Sequence, residues 1–268
     1  DTNCKIQVKA EIGVNKNKQS RMNAEIQRLT EYVAEAQRIV FLTGAGMSTE
    51  SGIPDFRSPS GIYASGVSQN VFDISVFEHE PEVFYQNVRP LLEQTANAKP
   101  NPGHEAIAEL ERLGKNVAVC TQNIDTLHQK AGSGAVYPVH GTVDTFSCMN
   151  CGERCDGKQI WNQVREGETR PAHEACGGLL KPDIVFFGEM LPQRVLAEAE
   201  QAVSRADLVV VAGTSLVVYP AAALPRARPS ESRLVIVNRT VTQEDSNADL
   251  VIRDSVGDVL SQAVEGIK

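Results

Sequence analysis

The 268-residue chain lacks a long apolar run and any excess of basic residues. No segment approaches the roughly 18 consecutive apolar residues that a helix needs to span a bilayer. Lys and Arg total 26 against 34 Asp and Glu, for a formal net charge of -8. This balance argues against the nucleic-acid backbone as the main partner, although it leaves room for a cationic protein segment as substrate. Because the N-terminus also lacks the apolar core of a secretory signal, we expect a cytoplasmic protein.

Cysteine is scarce outside one segment. Four of the six cysteines lie between Cys148 and Cys176, and two of them form a C-x-x-C pair. In a chain of this length without an export signal, such a cluster favours metal binding over disulfides. We therefore expect a metal site in this segment and an inert Cys4 near the N-terminus.

The stretch from Arg38 to Tyr63 organises the rest of the chain. Its apolar start, Ile39–Leu42, predicts a buried parallel strand. Gly44 and Gly46 then allow a sharp turn and a close approach of the backbone to a ligand. Met47–Glu50 follows as a predicted helix start, whose free N–H groups would face a pyrophosphate. Together these features indicate a dinucleotide site.

This stretch departs from the usual dinucleotide fingerprint, which is G-x-G-x-x-G with an acidic residue about 20 positions later. Thr49 occupies the third glycine position, and no second short strand ending in Asp or Glu follows. The chain continues instead with a turn-rich segment, Gly52–Arg57. These differences disfavour an ordinary hydride-transfer dehydrogenase and indicate a Rossmann-like site of another type.

The segment GAGMSTESGIPDFRSPSGIY closely resembles the signature of the sirtuins, the NAD-dependent protein deacylases. Further motifs agree with this family in order, and the resemblance extends from about Met22 to the C-terminus. It implies NAD as co-substrate and acylated-lysine proteins or peptides as partners. In this first motif it implies cofactor contacts from Gly44, Ala45, Gly46, Ser48, Asp55, Phe56 and Arg57.

The arrangement of apolar segments predicts the fold class. Apolar runs at 116–120, 208–211, 234–237 and 249–252 predict further buried strands, and amphipathic helices flank them. With the resemblance, this gives an α/β protein: a Rossmann-like parallel sheet with helices on both faces, plus a small domain made of a helical module and a zinc ribbon. The predicted boundaries are 1–21 for a leader of unknown role, 22–57, 113–142 and 182–268 for the NAD-binding domain, and 58–112 and 143–181 for the small domain.

Polar residues follow the predicted strand at 116–120. Gln122, Asn123 and Asp125 would lie at its carboxyl end, where open α/β sheets bind ligands. Helix capping by Asn123 or Asp125 is the simpler alternative. The resemblance implies that this motif contacts the nicotinamide and its ribose through Gln122, Asn123, Ile124 and Asp125. It also implies NAD contacts from later segments, namely Gly213, Thr214, Ser215, Asn238, Arg239 and Val256.

His140 lies between a short extended run and Gly141. Its near-neutral pKa suits general base catalysis, although an isolated histidine is more often structural. The resemblance implies that His140 is the catalytic base, assisted by Asn123 and Asp125. It also implies that a later segment pairs with the substrate peptide by strand addition and lines the acyl-lysine tunnel, through Val185, Phe186, Phe187, Gly188 and Glu189.

The cysteine segment resembles the zinc ribbon of the sirtuins with one departure. Cys148 and Cys151 form the first pair, but His173 replaces the first cysteine of the second pair, which ends at Cys176. Histidine is a competent zinc ligand, so this Cys3His set predicts a structural zinc site with no open position. The alternatives are Cys155 as the fourth ligand, or a site that has lost its metal.

The predicted function is the NAD-dependent removal of acetyl and other neutral acyl groups from protein lysines. The resemblance implies that nicotinamide, O-acyl-ADP-ribose and free lysine are the products. After Tyr63 the chain has no Tyr-x-x-Arg sequence of the kind that holds acidic acyl groups in this family, so acetyl is expected first. Two alternatives are a protein mono-ADP-ribosyltransferase and a non-enzymatic sensor of NAD or ADP-ribose.

Overall fold

The computed structural model describes residues 20–268 except Ala96. The predicted leader at 1–21, apart from its last two residues, lies outside the described residues, as does Cys4. Helix α1 covers residues 20–35. No helix in this described part of the chain is both long enough and apolar enough to cross a bilayer.

Strands and helices alternate along the described chain in the manner of an α/β protein. The strands are β1 (Arg38–Thr43), β2 (Asn116–Thr121), β3 (Val136–Pro138), β4 (Gly141–Cys148), β5 (Arg154–Asp156), β6 (Leu180–Ile184), β7 (Leu208–Ala212), β8 (Arg233–Val237) and β9 (Leu250–Ile252). The α-helices after α1 are α2 (Ile74–His79), α3 (Pro81–Thr95), α4 (Pro102–Arg112), α5 (Leu127–Ala131), α6 (Gly157–Glu166), α7 (Gln193–Val203) and α8 (Val256–Glu265).

The larger sheet has six strands in the order β3-β2-β1-β7-β8-β9, and all neighbouring pairs are parallel. The predicted Rossmann-like parallel sheet is therefore confirmed. The interiors of its central strands are apolar and buried because helices cover both faces. Phe41 and Val210 face a core shared with α1, α4 and α8. Leu42 and Val211, one residue further along, face the opposite core with α7.

Helix α4 corrects one predicted boundary. Sequence analysis grouped residues 58–112 in the small domain, but α4 packs against α8 and β2. Its residues Ile107 and Leu110 are fully buried in the core of the large sheet. An amphipathic pattern shows that a helix has a buried face, but it does not show which sheet covers that face. Within the range 58–112, only the residues before Asn101 pack with the small domain.

The smaller sheet is antiparallel, with the order β5-β4-β6. Strand β6 belongs to it, so residues 182–184 lie in the small domain and not in the NAD-binding domain, where sequence analysis placed them. Its core is aromatic: Phe146 lies 4.8 Å from Trp161, and Phe186 lies 5.0 Å from Phe84 between ring centroids. Helices α2, α3 and α6 supply most of the other buried residues.

The order of the large sheet creates a crevice. Strands β2 and β3 lie on one side of β1, whereas β7, β8 and β9 lie on the other. The loops that follow β1 and β7 therefore leave the sheet in opposite directions at the same edge. Open α/β sheets bind their ligands at such a switch point.

Two histidines are buried together beneath this edge. His104 of α4 and His128 of α5 have ring centroids 4.7 Å apart. Burial lowers the pKa of His104 to about 4, although the carboxylates of Asp125 and Glu50 oppose the shift. Burial and the neighbouring His104 lower the pKa of His128 to about 3. Both rings are therefore neutral at pH 7.

We expect the free energy of unfolding to fall as the pH is lowered from 7 to 5. The unfolded chain protonates both histidines near pH 6.5, whereas the folded chain keeps them neutral. Acid therefore favours the unfolded state, by about 2 kcal/mol per histidine at pH 5. Urea unfolding at both pH values measures the effect. The His104→Gln, His128→Gln double variant should lose much less stability over this range, and an equal loss in both proteins would contradict the assignment.

Candidate active site

The loop after β1 does not form the helix start that the sequence predicted. It contains two single 3-10 turns, Ala45–Met47 and Thr49–Ser51. Gly52, with φ +84°, then reverses the chain in the left-handed region that glycine favours. The N–H groups that face the crevice therefore belong to a compact loop, and no α-helix dipole points into it from this segment.

The two glycines of this loop are required by the protein's own packing. The Gly44 N–H donates to Ala212 O at 3.2 Å, and the Gly46 N–H donates to Gly213 O at 2.8 Å. A Cβ atom on Gly46 would lie 2.9 Å from the Gly213 Cα, which is closer than such atoms approach. The loops after β1 and β7 thus hold each other at the switch point.

Asn123, Ser48 and Asp125 form one hydrogen-bonded group. The Asn123 side chain donates to Gly44 O at 3.0 Å and to Ser48 Oγ at 3.1 Å. Ser48 Oγ in turn donates to Asp125 Oδ2 at 2.6 Å, and Asp125 Oδ1 accepts from the Leu127 N–H at 3.0 Å. Asp125 thus bonds the first residue of α5 and also fixes the β1 loop, whereas the N-cap position of this helix is occupied by Thr126.

His140 lies between β3 and β4, half-buried at the crevice. Its Nδ1 is 3.1 Å from Gln122 O. A carbonyl oxygen can only accept, so Nδ1 carries the proton and Nε2 has a free lone pair. Burial lowers the pKa of His140 below its ordinary value, although the bond to Gln122 opposes the shift. This arrangement gives a neutral imidazole with a basic nitrogen at neutral pH.

Two residues next to the site hold unusual backbone angles. Thr126 has φ +59° and Leu216 has φ +55°, a region that is costly for side chains of this kind. Thr126 follows Asp125, and Leu216 follows the loop in which Thr214 bonds the Gln122 side chain at 3.2 Å. No feature of the sequence indicated either conformation.

A single cavity of about 1210 Å³ joins these groups. It contains all the predicted NAD and catalytic residues except Gly44, together with the whole predicted substrate segment. Several apolar residues of its wall were not predicted as site residues. Among them, Val88, Leu91 and Leu92 lie on α3, and an apolar helical stripe of this kind usually indicates core. These additional lining residues include Ile53, Tyr63, Val88, Leu91, Leu92, Val143 and Trp161.

Aromatic rings cover one side of this cavity. Phe56 lies 5.6 Å from Tyr63 and 5.9 Å from Phe72 between ring centroids. Backbone hydrogen bonds fold the segment back on itself, since Ile62 N donates to Asp55 O and Tyr63 N donates to Phe56 O. The segment after the β1 loop therefore forms a compact apolar cover over the crevice.

The predicted substrate segment is only partly available for strand addition. The N–H groups of Val185, Phe186 and Phe187 already donate to His140 O, to the Glu189 carboxylate and to Phe72 O, respectively. Phe186 is buried in the aromatic core, whereas Phe187 is exposed at the cavity mouth. A peptide that pairs here must therefore use backbone groups other than these three N–H donors.

Cys148, Cys151, His173 and Cys176 form one cluster, with ligand atoms within 4.8 Å of one another. Three separations from Cys176 Sγ define it: 3.4 Å to Cys148 Sγ, 3.6 Å to Cys151 Sγ and 3.3 Å to His173 Nδ1. A tetrahedral zinc ion with bonds of about 2.0–2.3 Å requires ligands about 3.3–3.8 Å apart. The residues fit structural zinc, and the cluster includes His173 and not Cys155.

The second ring nitrogen of His173 faces a carboxylate. Nδ1 points to the thiols, while Nε2 lies 3.5 Å from Glu153 Oε2. Zinc-bound histidines usually donate their other N–H to such a group, which fixes the tautomer that leaves a lone pair for the metal. Glu153 is therefore suited to hold His173 in its ligating form.

The parallel sheet has a crevice at its switch point, and a small domain with a cysteine–histidine cluster is joined to it. This architecture places the chain in the class of Rossmann-like α/β proteins. Residues 44–220 match the model of the Sir2 family. The NAD-dependent protein deacetylase of Clostridium perfringens is 43% identical over 249 residues, which cover 91% of this chain and 100% of the relative.

Solved structures agree with this relationship. Sir2Tm bound to a propionylated peptide has a TM-score of 0.82 at 41% identity, covering 91% of this chain and 100% of that chain. A Sir2 histidine-to-alanine variant with a deacetylated p53 peptide and 3'-O-acetyl ADP-ribose has a TM-score of 0.85 at 42% identity, with coverages of 91% and 100%. The chain belongs to the Sir2 family, the sirtuins.

We expect Glu153→Ala to weaken zinc binding by about tenfold. Removing the carboxylate that faces the non-ligating nitrogen of a metal-bound histidine typically lowers metal affinity 10–100-fold. Competition with a chromophoric chelator measures zinc affinity directly and does not depend on enzymatic activity. Glu174→Ala, which removes an exposed carboxylate next to His173 in sequence, is the matched control. Equal zinc affinities for the two variants would refute the role of Glu153.

Proposed function

We propose that this chain is an NAD-dependent protein-lysine deacylase that removes acetyl and other neutral acyl groups. The relatives support this function, since they are NAD-dependent protein deacetylases and are solved with acylated peptides or with acetyl ADP-ribose. The observation that carries this proposal is the tautomer of His140. Its Nε2 has a free lone pair, and His140 lines the same cavity as the Asn123–Ser48–Asp125 group. The products are nicotinamide, O-acyl-ADP-ribose and free lysine.

Bound NAD supplies an activated glycosidic carbon, which the amide oxygen of the acyl-lysine attacks as nicotinamide leaves. An amide oxygen is a poor nucleophile, so this step depends on close positioning and on the exclusion of water. Asn123 and Asp125 orient the nicotinamide end through the loops that they tie together. Phe56 and Arg57 cover the site, and the ring contacts of Phe56 hold that cover in place.

His140 then acts as the general base. Its Nε2 takes the proton from a ribose hydroxyl as that oxygen attacks the acyl carbon. The bond from Nδ1 to Gln122 O fixes the ring and stabilises the imidazolium that forms. The lysine amine then leaves from that carbon, and a water molecule adds to it. The bond from that carbon to the C1′ oxygen breaks, so C1′ keeps the former amide oxygen and the ester of O-acyl-ADP-ribose takes its new oxygen from water.

The cavity between the two domains receives both substrates. NAD lies along the loops after β1, β2, β7 and β8, and the acyl-lysine enters past Phe187. We assign 22–57, 101–140 and 185–268 to the NAD-binding domain, with the remainder from 58 to 184 in the small domain. The cytoplasmic location expected from the sequence stays a prediction.

Product analysis tests this function. Purified protein is incubated with an acetyl-lysine peptide, with and without NAD, and mass spectrometry follows the peptide and O-acetyl-ADP-ribose. Both products should appear in equal amounts and only with NAD, and acetyl should turn over faster than succinyl. NAD loss without deacetylation would support ADP-ribosyl transfer instead. Bound NAD without any turnover of acetyl or longer acyl peptides would support a sensor.

We expect His140→Ala to lower kcat by about 10²–10⁴-fold, the usual contribution of general base catalysis. NAD affinity should change little, because the one hydrogen bond of this ring within the described residues is to Gln122 O, which leaves the Asn123–Ser48–Asp125 group intact. Steady-state kinetics and calorimetric NAD binding measure the two effects. Full deacylation by this variant with normal NAD binding would show that another group is the base.

The pH dependence of kcat/KM provides an independent check. The base is active when neutral, so activity should rise with pH through the pKa of His140 and then level off. Because burial lowers that pKa, the midpoint should lie below the ordinary histidine value of about 6.5. A midpoint clearly above this value would contradict a buried, neutral His140.

A further inference from the structure

A chain of buried hydrogen bonds leads from α5 to the predicted nicotinamide end of the cavity. We propose that His128 is a positioning residue for Asn123, acting through the hydroxyls of Thr43 and Thr121. We call these four residues the buried relay. The inference rests on the proposed function, in which Asn123 orients the nicotinamide end of NAD.

The geometry of the buried relay is continuous. His128 Nε2 lies 3.0 Å from Thr43 Oγ1, and Thr43 Oγ1 donates to Thr121 Oγ1 at 2.9 Å. Thr121 Oγ1 also accepts from the Asn123 backbone N–H at 3.0 Å. The side chains of the first three residues are almost completely shielded from solvent, so water does not compete for these bonds.

The register of the large sheet places the two hydroxyls side by side. Thr43 and Thr121 are the last paired residues of β1 and β2. Both strands end here, and each chain then enters a loop that lines the cavity. The relay therefore links the two loops at the point where the sheet no longer holds them.

The neutral ring of His128 can donate one hydrogen bond. Since the Thr43 hydroxyl donates to Thr121, it accepts from an Nε2–H on His128. The other nitrogen, Nδ1, has no hydrogen-bond partner within the described residues, although it is buried. Burial keeps the ring neutral, and the hydrogen bond to Thr43 selects the tautomer with the proton on Nε2. The bond to Thr43 is thus the only polar contact of this ring in the described chain.

Asn123 is joined to the relay through its own backbone N–H, and its neighbours are held separately: the Gln122 N–H donates to Thr43 O, and Ile124 O accepts from the Val143 N–H. The Asn123 N–H donates to Thr121 Oγ1, while its side chain donates to Gly44 O and Ser48 Oγ. If Thr121 Oγ1 moves or rotates, the Asn123 N–H loses this partner and the side-chain donors of Asn123 lose their alignment. The expected consequence is weaker NAD binding, with less effect on the chemistry at saturating NAD.

The test uses matched pairs of variants. Thr43→Val removes the hydroxyl at nearly constant shape, whereas Thr43→Ser keeps it. His128→Leu removes the donor, whereas His128→Gln can place an N–H near the position of Nε2. Calorimetric Kd for NAD and the separate values of KM and kcat are measured, with melting temperature as the measure of stability.

Thr43→Val and His128→Leu should each raise the Kd for NAD by about tenfold, and together by clearly less than the product of the single effects. Thr43→Ser and His128→Gln should stay within about twofold of the parent protein. Thr121→Val, which breaks the relay at its other hydroxyl, replaces Thr43→Val if that variant does not fold.

A purely structural role for His128 predicts a different result. All four variants would lower the melting temperature, while the Kd for NAD of the folded protein would stay unchanged. Alternatively, Thr43→Val and His128→Leu would act independently, so that their combined effect on the Kd would equal the product of the two single effects. Either outcome overturns the proposal. Asn123→Ala separates this failure from failure of the proposed function: if it leaves NAD affinity intact, the role of Asn123 itself is wrong.

Discussion

The whole site depends on the contact between the loops that follow β1 and β7. The Gly46 N–H bonds Gly213 O at 2.8 Å, and the packing leaves no room for a Cβ atom on Gly46. These loops leave the sheet at its switch point, where their strands can no longer align them. Their direct contact therefore holds the two loops in place beyond the ends of the strands, where the hydrogen bonds of the sheet no longer do so. Asn123, through its bond to Gly44 O, extends this support to the loop after β2.

Histidine does several different jobs in this chain because each ring has different neighbours. His140 gives its Nδ1 proton to Gln122 O and keeps a basic nitrogen at the cavity. His173 turns its Nδ1 toward three thiols and its Nε2 toward Glu153. His104 and His128 are buried neutral and carry no charge into the core. The residue type alone does not decide among base, ligand and structural support.

Much of the fold was predictable because its signals are local. Short β-branched runs bounded by glycine and polar residues predicted β1, β2, β7 and β8 close to their observed bounds. The Cys148–Cys151 pair and the spacing of His173 and Cys176 predicted the metal cluster. The helix start at Met47–Glu50 failed, because tight turns and close loop packing outweigh local helix signals there. The placement of α4 failed because its apolar stripe fits either domain equally well.

Residue types and their spacing along the chain were enough to predict the parallel sheet and a metal site in the cysteine segment, with Cys155 as an alternative to His173. The resemblance of the motifs to the sirtuins indicated the family and His140 as the candidate base. Tertiary structure alone decided the tautomer of His140, the contact of Gly46 with Gly213, and the link from His128 to Asn123. These features are contacts between different strands and loops. Their chemistry depends on angles, burial and hydrogen-bond direction, which exist only after the strands have paired.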